Sequence, residues 1–434
     1  MDIQLAYGRH GLPISIPDEA NVTVLEPEYV AGVSDPLSVL CDALRHPIDS
    51  PPLRELVQPS DTVGIVFSDV TRPTPSHLLI PAVCAELSHV PDEQIILFNA
   101  TGTHRFNTDA ELRAMLGDTV VDRFRIVQND ANAANEHVYC GTTHGGNAVW
   151  LHSEFMACTK RILTGFIEPH FFAGFSGSGK ALMPGLARLD TVQRNHCAMH
   201  MDHPQARWGI THGNPLWEDI YEAGLMANPT FLLNVTLNRD KAITQVFAGE
   251  YTSAHQHGCA YVRKTAMAAV DSLFDIVITT NSGYPLDRNL YQAVKGISAA
   301  AQVVKEGGSI IVAAECCDGL PDASDYAHLL QEASSYDELL TLLRTPGNNR
   351  ADTWTAHIQA LIGQKADLYL YSSHLTDAQI RQSLLTPCRS IEQKISELLA
   401  KYGPDARICI LPEGPQTIPY LESAPLVESL STAN

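Results

Sequence analysis

Short apolar runs recur along this chain, four to eight residues long and bounded by polar or turn-forming residues. TVGIVFSD near residue 62, QIILFNATG near 94, RILTGFIEP near 161, FDIVITTNSG near 274, GSIIVAAE near 308 and ADLYLYSS near 366 are rich in Ile, Val, Leu and Phe. Runs of this length without polar alternation predict strands buried on both faces, as in parallel sheets. The stretches between most of them have the length and amphipathic spacing of helices. Thr108 followed three residues later by Glu111, just before an apolar pattern, predicts a capped helix start in TDAELRAML. LYQAVKGISAAAQVVKEGG reads as a helix ending at Gly307-Gly308. No internal repeat or low-complexity segment interrupts the pattern. The expected class is α/β, with mainly parallel sheets flanked by helices.

At 434 residues the chain is long enough for two domains. A boundary is expected near residues 265 to 275, where RKTAMAAVDSLF leads into a fresh strand series. This gives an N-terminal domain over residues 1–268 and a C-terminal one over 269–399. The segment from about 400 to 434 is expected to pack back on the first domain.

A formal net charge of −20 argues against a general nucleic-acid or anionic-membrane binder. It leaves room for a local basic pocket that takes a small anion. No run approaches the eighteen apolar residues of a membrane span, and the opening MDIQLAYGRHGLPISIP lacks the charged and apolar regions of a secretory signal. The ten cysteines include no C-x-x-C pair, so a reduced, cytoplasmic setting is expected.

Gly174 to Lys180, in GFSGSGKALMPG, fits the phosphate-cradling pattern G-x-x-x-x-G-K. The next residue is Ala181, where a P-loop needs a hydroxyl for magnesium. Pro184 and Gly185 would end the required helix at once. The P-loop reading fails, and a Gly/Ser loop that exposes one lysine remains.

Other polar residues gather just beyond the carboxyl ends of predicted strands, where parallel sheets place their sites. SDVTRPTP supplies Asp69 and Arg72, TGTHR supplies His104, and EPH supplies His170; NSGYPLDRNLYQAVKG supplies Tyr291, Gln292 and Lys295. A cation, two histidines and a lone lysine on one face suit proton transfer on a small anionic substrate. Each also has an ordinary reading: Arg72 as a turn residue, a lone loop histidine as surface. His196 and His200 are four apart, a spacing that can put two metal ligands on one helix face. Without the Glu of H-E-x-x-H, the pair reads better as a plain polar face. His137, His144, His152, His255 and His257 read as surface, and Cys316-Cys317 as core.

SDVTRPTP, TGTHR, EPHFFAGFSGSGKALMPG, the Asn195-His196 pair, YQAVKG at 291–296 and Trp354 in DTWTAH, in this order, resemble the nickel-dependent lactate racemase family over roughly residues 60 to 360. The resemblance implies a 2-hydroxy acid racemase or epimerase with two α/β domains and its active site in the cleft between them. It further implies a nickel pincer nucleotide, a thiolated pyridinium mononucleotide, covalently held by Lys180, with Ser176 and Gly177 contacting the cofactor, Asp69 either contacting it or orienting Arg72, and His196 as the protein ligand to nickel. His104 and His170 would be the paired bases, Arg72 and Lys295 would hold the substrate carboxylate, and Tyr291, Gln292 and Trp354 would shape the pocket. Proteins that build the cofactor are the implied partners. The chain departs from the family in carrying Ser178-Gly179 where Gly-Arg usually precedes the lysine. Two other readings stand beside this one: a homologue that binds cofactor or hydroxy acid without turnover, and a metal-dependent hydrolase using zinc on His196 and His200.

Overall fold

Six apolar runs become strands in the computed structural model, which describes residues 1–320, 324–345, 350 and 353–422. All six lie inside one or other of two six-stranded sheets with parallel neighbours on both sides. The first sheet runs Ile243–Gly249, Phe231–Leu237, Lys160–Phe166, Val63–Ser68, Ile95–Ala100, Arg125–Gln128. Only its first pair is antiparallel. The apolar runs lie against a core that includes Leu40, Leu79, Val83, Leu97 and Phe231, all fully buried.

The second sheet runs Thr386–Pro387, Asp367–Tyr371, Val304–Ala313, Phe274–Thr280, Arg407–Leu411, Asn21–Val24, with every neighbour parallel. Ile278, Ile311, Ile395 and Ile410 are among the residues of its core.

The chain forms two compact units: one holds Tyr29–His200 and Pro204–Arg263, the other Met1–Glu28, Met201–His203 and the residues from Lys264 onward. Two sequence expectations change here. Residues 407–411, expected with the first domain, belong to the other unit, where they pair in parallel with Phe274–Thr280 inside the second sheet. The first 28 residues also belong with that sheet, since Asn21–Val24 takes the outer edge of Arg407–Leu411. Residues 423–434 lie outside the described part.

The capped helix start is as expected: Thr108 Oγ1 accepts from Glu111 N and the Glu111 carboxylate accepts from Thr108 N. The helix expected to reach Gly307-Gly308 instead spans Leu290–Ala300 and gives way to the strand Val304–Ala313. VVKEGG has two β-branched residues and two glycines, and pairing of Val304 with Phe274 overrides its weak helical pattern.

Candidate active site

Three adjacent strands of the first sheet, Lys160–Phe166, Val63–Ser68 and Ile95–Ala100, deliver Lys180 and His170, Asp69 and Arg72, and His104 from their carboxyl ends. Parallel pairing keeps these ends side by side. The backbone N–H of Gly102 donates to Gly185 O at 3.0 Å, which ties the His104 loop to the lysine loop.

Asp69 is buried, with 3% of its surface exposed, and accepts from His104 Nδ1 at 2.9 Å and from Thr71 Oγ1 at 2.9 Å. Burial alone would raise its carboxyl pKa. The His104 hydrogen bond and charge, Thr71 and the Arg72 charge outweigh that and hold it below its ordinary value. A carboxylate can only accept, so His104 Nδ1 carries the proton and Nε2 presents the lone pair. This is the arrangement of a base aimed by an acid residue. The side chain of His104 remains 46% exposed, open to a substrate. Arg72 is exposed and its backbone N–H closes the turn onto Asp69 O at 3.1 Å.

His170 sits in a tight hairpin, where Pro169–His170 pairs with Gly174–Phe175. The Ala173 N–H donates to His170 Nδ1 at 3.2 Å, and His170 Nε2 lies 3.2 Å from Lys180 Nζ. Beyond the hairpin the chain is pinned from several sides. Ser176 Oγ accepts from Glu168 N and donates to Phe166 O, and Ser176 O accepts from His255 Nε2 at 2.9 Å. Gly177 has φ +84°, and a Cβ there would come within 2.5 Å of Asn234 Oδ1, which already accepts from Ser178 N. Ser176 and Gly177 thus shape the loop. Ser178–Ala181 makes one 3-10 turn that presents Lys180, with no helix opening behind it as a P-loop would require.

Gly179 explains the departure before the lysine. A Cβ at this position would lie 2.6 Å from the Tyr251 hydroxyl and 2.7 Å from Ile220 O. Tyr251 fills the space through which an arginine side chain would have to leave.

Phe172 is the residue that sequence reasoning passed over. Its ring centroid lies 4.5 Å from that of His170 and 5.1 Å from that of His196, edge-on to both, and Lys180 Nζ is 5.5 Å from it. One aromatic ring thus gathers three polar side chains, and its only sequence signal was its place inside EPHFF. Burial pushes the Lys180 amine down to about 7, helped by the Arg72 charge and opposed by Glu168. Burial and the nearby Lys180 charge, with a smaller contribution from His200, likewise push His196 down to about 3, against its bond to Val192 O. His196 is uncharged near neutral pH, and the Lys180 amine loses its charge as the pH rises through about 7.

His196 caps the helix Leu189–Asn195 and donates from Nδ1 to Val192 O at 3.1 Å. That bond sets the ring's lone pair at Nε2, the form in which a histidine ligates metal. His200 does not share its helix face. It belongs to the separate helix Ala198–Met201, is buried, and donates to Asn195 O. The break after Asn195 undoes the i, i+4 geometry. Among the described residues, no three His, Cys, Asp or Glu side chains converge as a metal site would need.

Other histidine expectations are corrected too. His137, His152 and His255 are buried, not on the surface. His137 bonds Ala133 O and Asn129 Oδ1, His152 packs edge-on to Phe98, and His255 holds the lysine loop. His144 and His257 are exposed, as expected. Cys316 is buried while Cys317 is exposed, so only the first is core.

In the other unit, Asn289 caps the helix Leu290–Ala300 by accepting from Gln292 N at 3.1 Å. This helix carries Tyr291, Gln292 and Lys295. Trp354 Nε1 donates to Tyr291 Oη at 3.2 Å, so two of the expected pocket residues meet.

Comparisons with known proteins agree with this layout. The family described as lactate racemase N-terminal domain matches residues 7–209, and the lactate racemase C-terminal domain matches 270–418. Lactate racemase from Thermoanaerobacterium thermosaccharolyticum is 31% identical over 422 residues, covering 96% of this chain and 99% of its own length. Lactate racemase from Lactiplantibacillus plantarum is 33% identical over 425 residues, covering 95% and 98%. The solved structure of the T. thermosaccharolyticum apoprotein superposes with a TM-score of 0.90 at 30% identity, over 96% of this chain and all of that one. A Thermotoga maritima protein of 19% identity, TM-score 0.61, shares the fold over 89% of this chain and 97% of its own.

Proposed function

Because the chain belongs to the lactate racemase family, we propose that it inverts the Cα centre of a lactate-like 2-hydroxy acid through a planar 2-keto acid. Membership makes it a racemase, an isomerase. The observation that supports the finer reading is the cluster on Phe172, whose ring lies near His170, His196 and the Lys180 amine.

These residues fit a nickel pincer nucleotide. Lys180 offers a neutral amine that an acyl carbon can take, and His196 offers Nε2 to a metal. One protein ligand suits a metal whose other donors arrive with the cofactor, and an imidazole suits square-planar nickel. When bound, the group supplies a hydride acceptor.

The chain's own residues handle the proton and the orientation. His104, aimed by Asp69, takes the hydroxyl proton from one face through Nε2. His170 is the matching acid-base group for the other enantiomer, whose hydroxyl points differently. Arg72 grips the carboxylate with a planar fork that fixes its tilt. Lys295, Tyr291, Gln292 and Trp354 are assigned to the substrate on the resemblance alone. Proteins that build the cofactor are the proposed partners and the cytoplasm the proposed location; no helix among the described residues is long and apolar enough to cross a membrane.

The zinc-hydrolase reading finds little support, since His200 is buried on another helix and bonded to Asn195 O. The test uses cofactor-loaded protein and lactate deuterated at Cα. Racemisation with deuterium retained in product is expected. Extensive washout into water would overturn hydride transfer, and inversion of no 2-hydroxy acid in a broad screen would overturn the racemase reading itself.

A further inference from the structure

A neutral imidazole has one N–H and one lone pair, so its two neighbours dictate which nitrogen carries the proton. For His170 one neighbour is unambiguous. The Ala173 N–H can only donate, and it donates to Nδ1 at 3.2 Å. The ring proton is therefore on Nε2. That atom faces Lys180 Nζ at 3.2 Å. An ammonium has three donors and no acceptor, so it would set donor against donor. Only a neutral amine, with its lone pair turned to Nε2–H, satisfies both ends.

We infer that Lys180, in the unmodified chain, is a positioning residue for His170: its amine lone pair and the Ala173 N–H together pin the ring with its proton on Nε2, and acylation of that amine releases it. Burial of Nζ on Phe172 beside Arg72 acts in the same direction, with Glu168 opposing. The inference rests on the proposed function only for the use to which the released ring is put.

The chemistry of release is specific. When an amine attacks an acyl carbon, a C–N bond forms, the leaving group departs with its electron pair and one proton goes to solvent. The nitrogen lone pair is then delocalised into the new amide or thioamide, and what faces His170 is an N–H donor. Two N–H groups cannot share one hydrogen bond, so the ring must swing away from the lysine, and the proton can pass to Nδ1 only when that swing also frees Nδ1 from the Ala173 N–H. An imidazole already protonated at Nε2 cannot take a second proton there. His170 therefore becomes a base at Nε2 only after Lys180 is modified, whereas Asp69 keeps His104 ready throughout.

The experiment reads ring nitrogens, with no cofactor present. Unloaded protein carrying 15N-histidine is examined by NMR at mildly alkaline pH, and the His170 signals are assigned from their loss in His170→Gln. Wild type is expected to show the Nε2–H tautomer alone. Acetic anhydride, which acetylates Lys180 with release of acetate (confirmed by peptide mass), is expected to move the proton to Nδ1 or abolish the single-tautomer pattern. Lys180→Arg, a donor that cannot become neutral, should do the same. Lys180→Met, with no donor at that position, should retain Nε2–H because Ala173 still donates; if the arginine variant does not fold, acetylated wild type and Lys180→Met decide. An Nδ1–H tautomer in wild type, or a His170 pattern unchanged by acetylation, would overturn the inference. Since every sample lacks the cofactor, failure here leaves the racemase reading untouched, and failure of racemisation leaves the tautomers as measured.

Discussion

Asp69 Oδ2 accepts from His104 Nδ1 at 2.9 Å, from a carboxylate that is 97% shielded to a ring that is nearly half exposed. The buried member fixes the proton on Nδ1, and the open member leaves its other ring nitrogen free to face solvent or, as proposed, a substrate.

Replacing that carboxylate tests the pairing. Asp69→Asn keeps the size but can both donate and accept, so it no longer dictates the tautomer of His104. Racemisation is expected to fall about 10- to 100-fold, short of the roughly 10²- to 10⁴-fold loss typical for removing an acid-base group outright. The fall should lie in kcat with KM nearly unchanged, and steady-state rates in both directions measure it. An unaltered kcat would remove Asp69 from proton transfer.

His255 gives a pH prediction away from the chemistry. It is buried and donates to Ser176 O, and burial pushes its pKa down to about 4, against a smaller opposing effect of that bond. An unfolded histidine titrates near 6.5, so between about 4 and 6.5 the unfolded chain holds the extra proton. Stability is therefore present in full above about 6.5 and falls as the pH drops towards 4, by roughly 3 kcal/mol from this residue. Urea midpoints from pH 4 to 7 should slope less in His255→Gln, which retains a donor but does not titrate. Part of the slope will persist, because His196 is also held down by burial, to about 3, and His152 and His357 are lowered in the same sense. Equal slopes in variant and wild type would rule out a buried neutral His255.

Gly177→Ala should be costly out of proportion to one methyl group. The residue has φ +84°, and the new Cβ would meet Asn234 Oδ1 at 2.5 Å, the atom that anchors Ser178 N. A loss of roughly 2–3 kcal/mol is expected, from backbone strain of about 1 kcal/mol plus a disturbed buried hydrogen bond. Chemical denaturation reads it directly; a change within about 0.5 kcal/mol would mean the loop has another way to seat itself.

Much of this molecule was legible because its strands lie inside parallel sheets. Such strands need unbroken apolar runs, and VGIVF, IILF and FDIVI announce themselves without partners. Turns after these strands were legible for the same reason, which is why the loops that carry Asp69, Arg72, His104, His170 and Lys180 could be placed in advance past strand ends. What failed depends on contacts distant in sequence. Burial of His137, His152 and His255 follows from what packs over them, and nothing local encodes it. The helix that stops at Ala300 stops because Val304 finds Phe274. The break between His196 and His200 is set by a cap on Val192 O, which converts a familiar spacing into two unrelated side chains. Phe172 escaped notice because aromatic residues beside a site ordinarily read as core.

The placement of Asn21–Val24 also bears on how the protein is made. This strand leaves the ribosome nearly four hundred residues ahead of the partner it pairs with, Arg407–Leu411. Tyr29–Arg263, apart from Met201–His203, can gather into its own core while synthesis continues, since domains tend to fold in order of emergence. The leading strand must wait through that whole interval with Val22 and Val24 unpaired. Its shortness, four residues with Asn21 and Thr23 alternating between the valines, makes it a poor template for wrong partners during the delay.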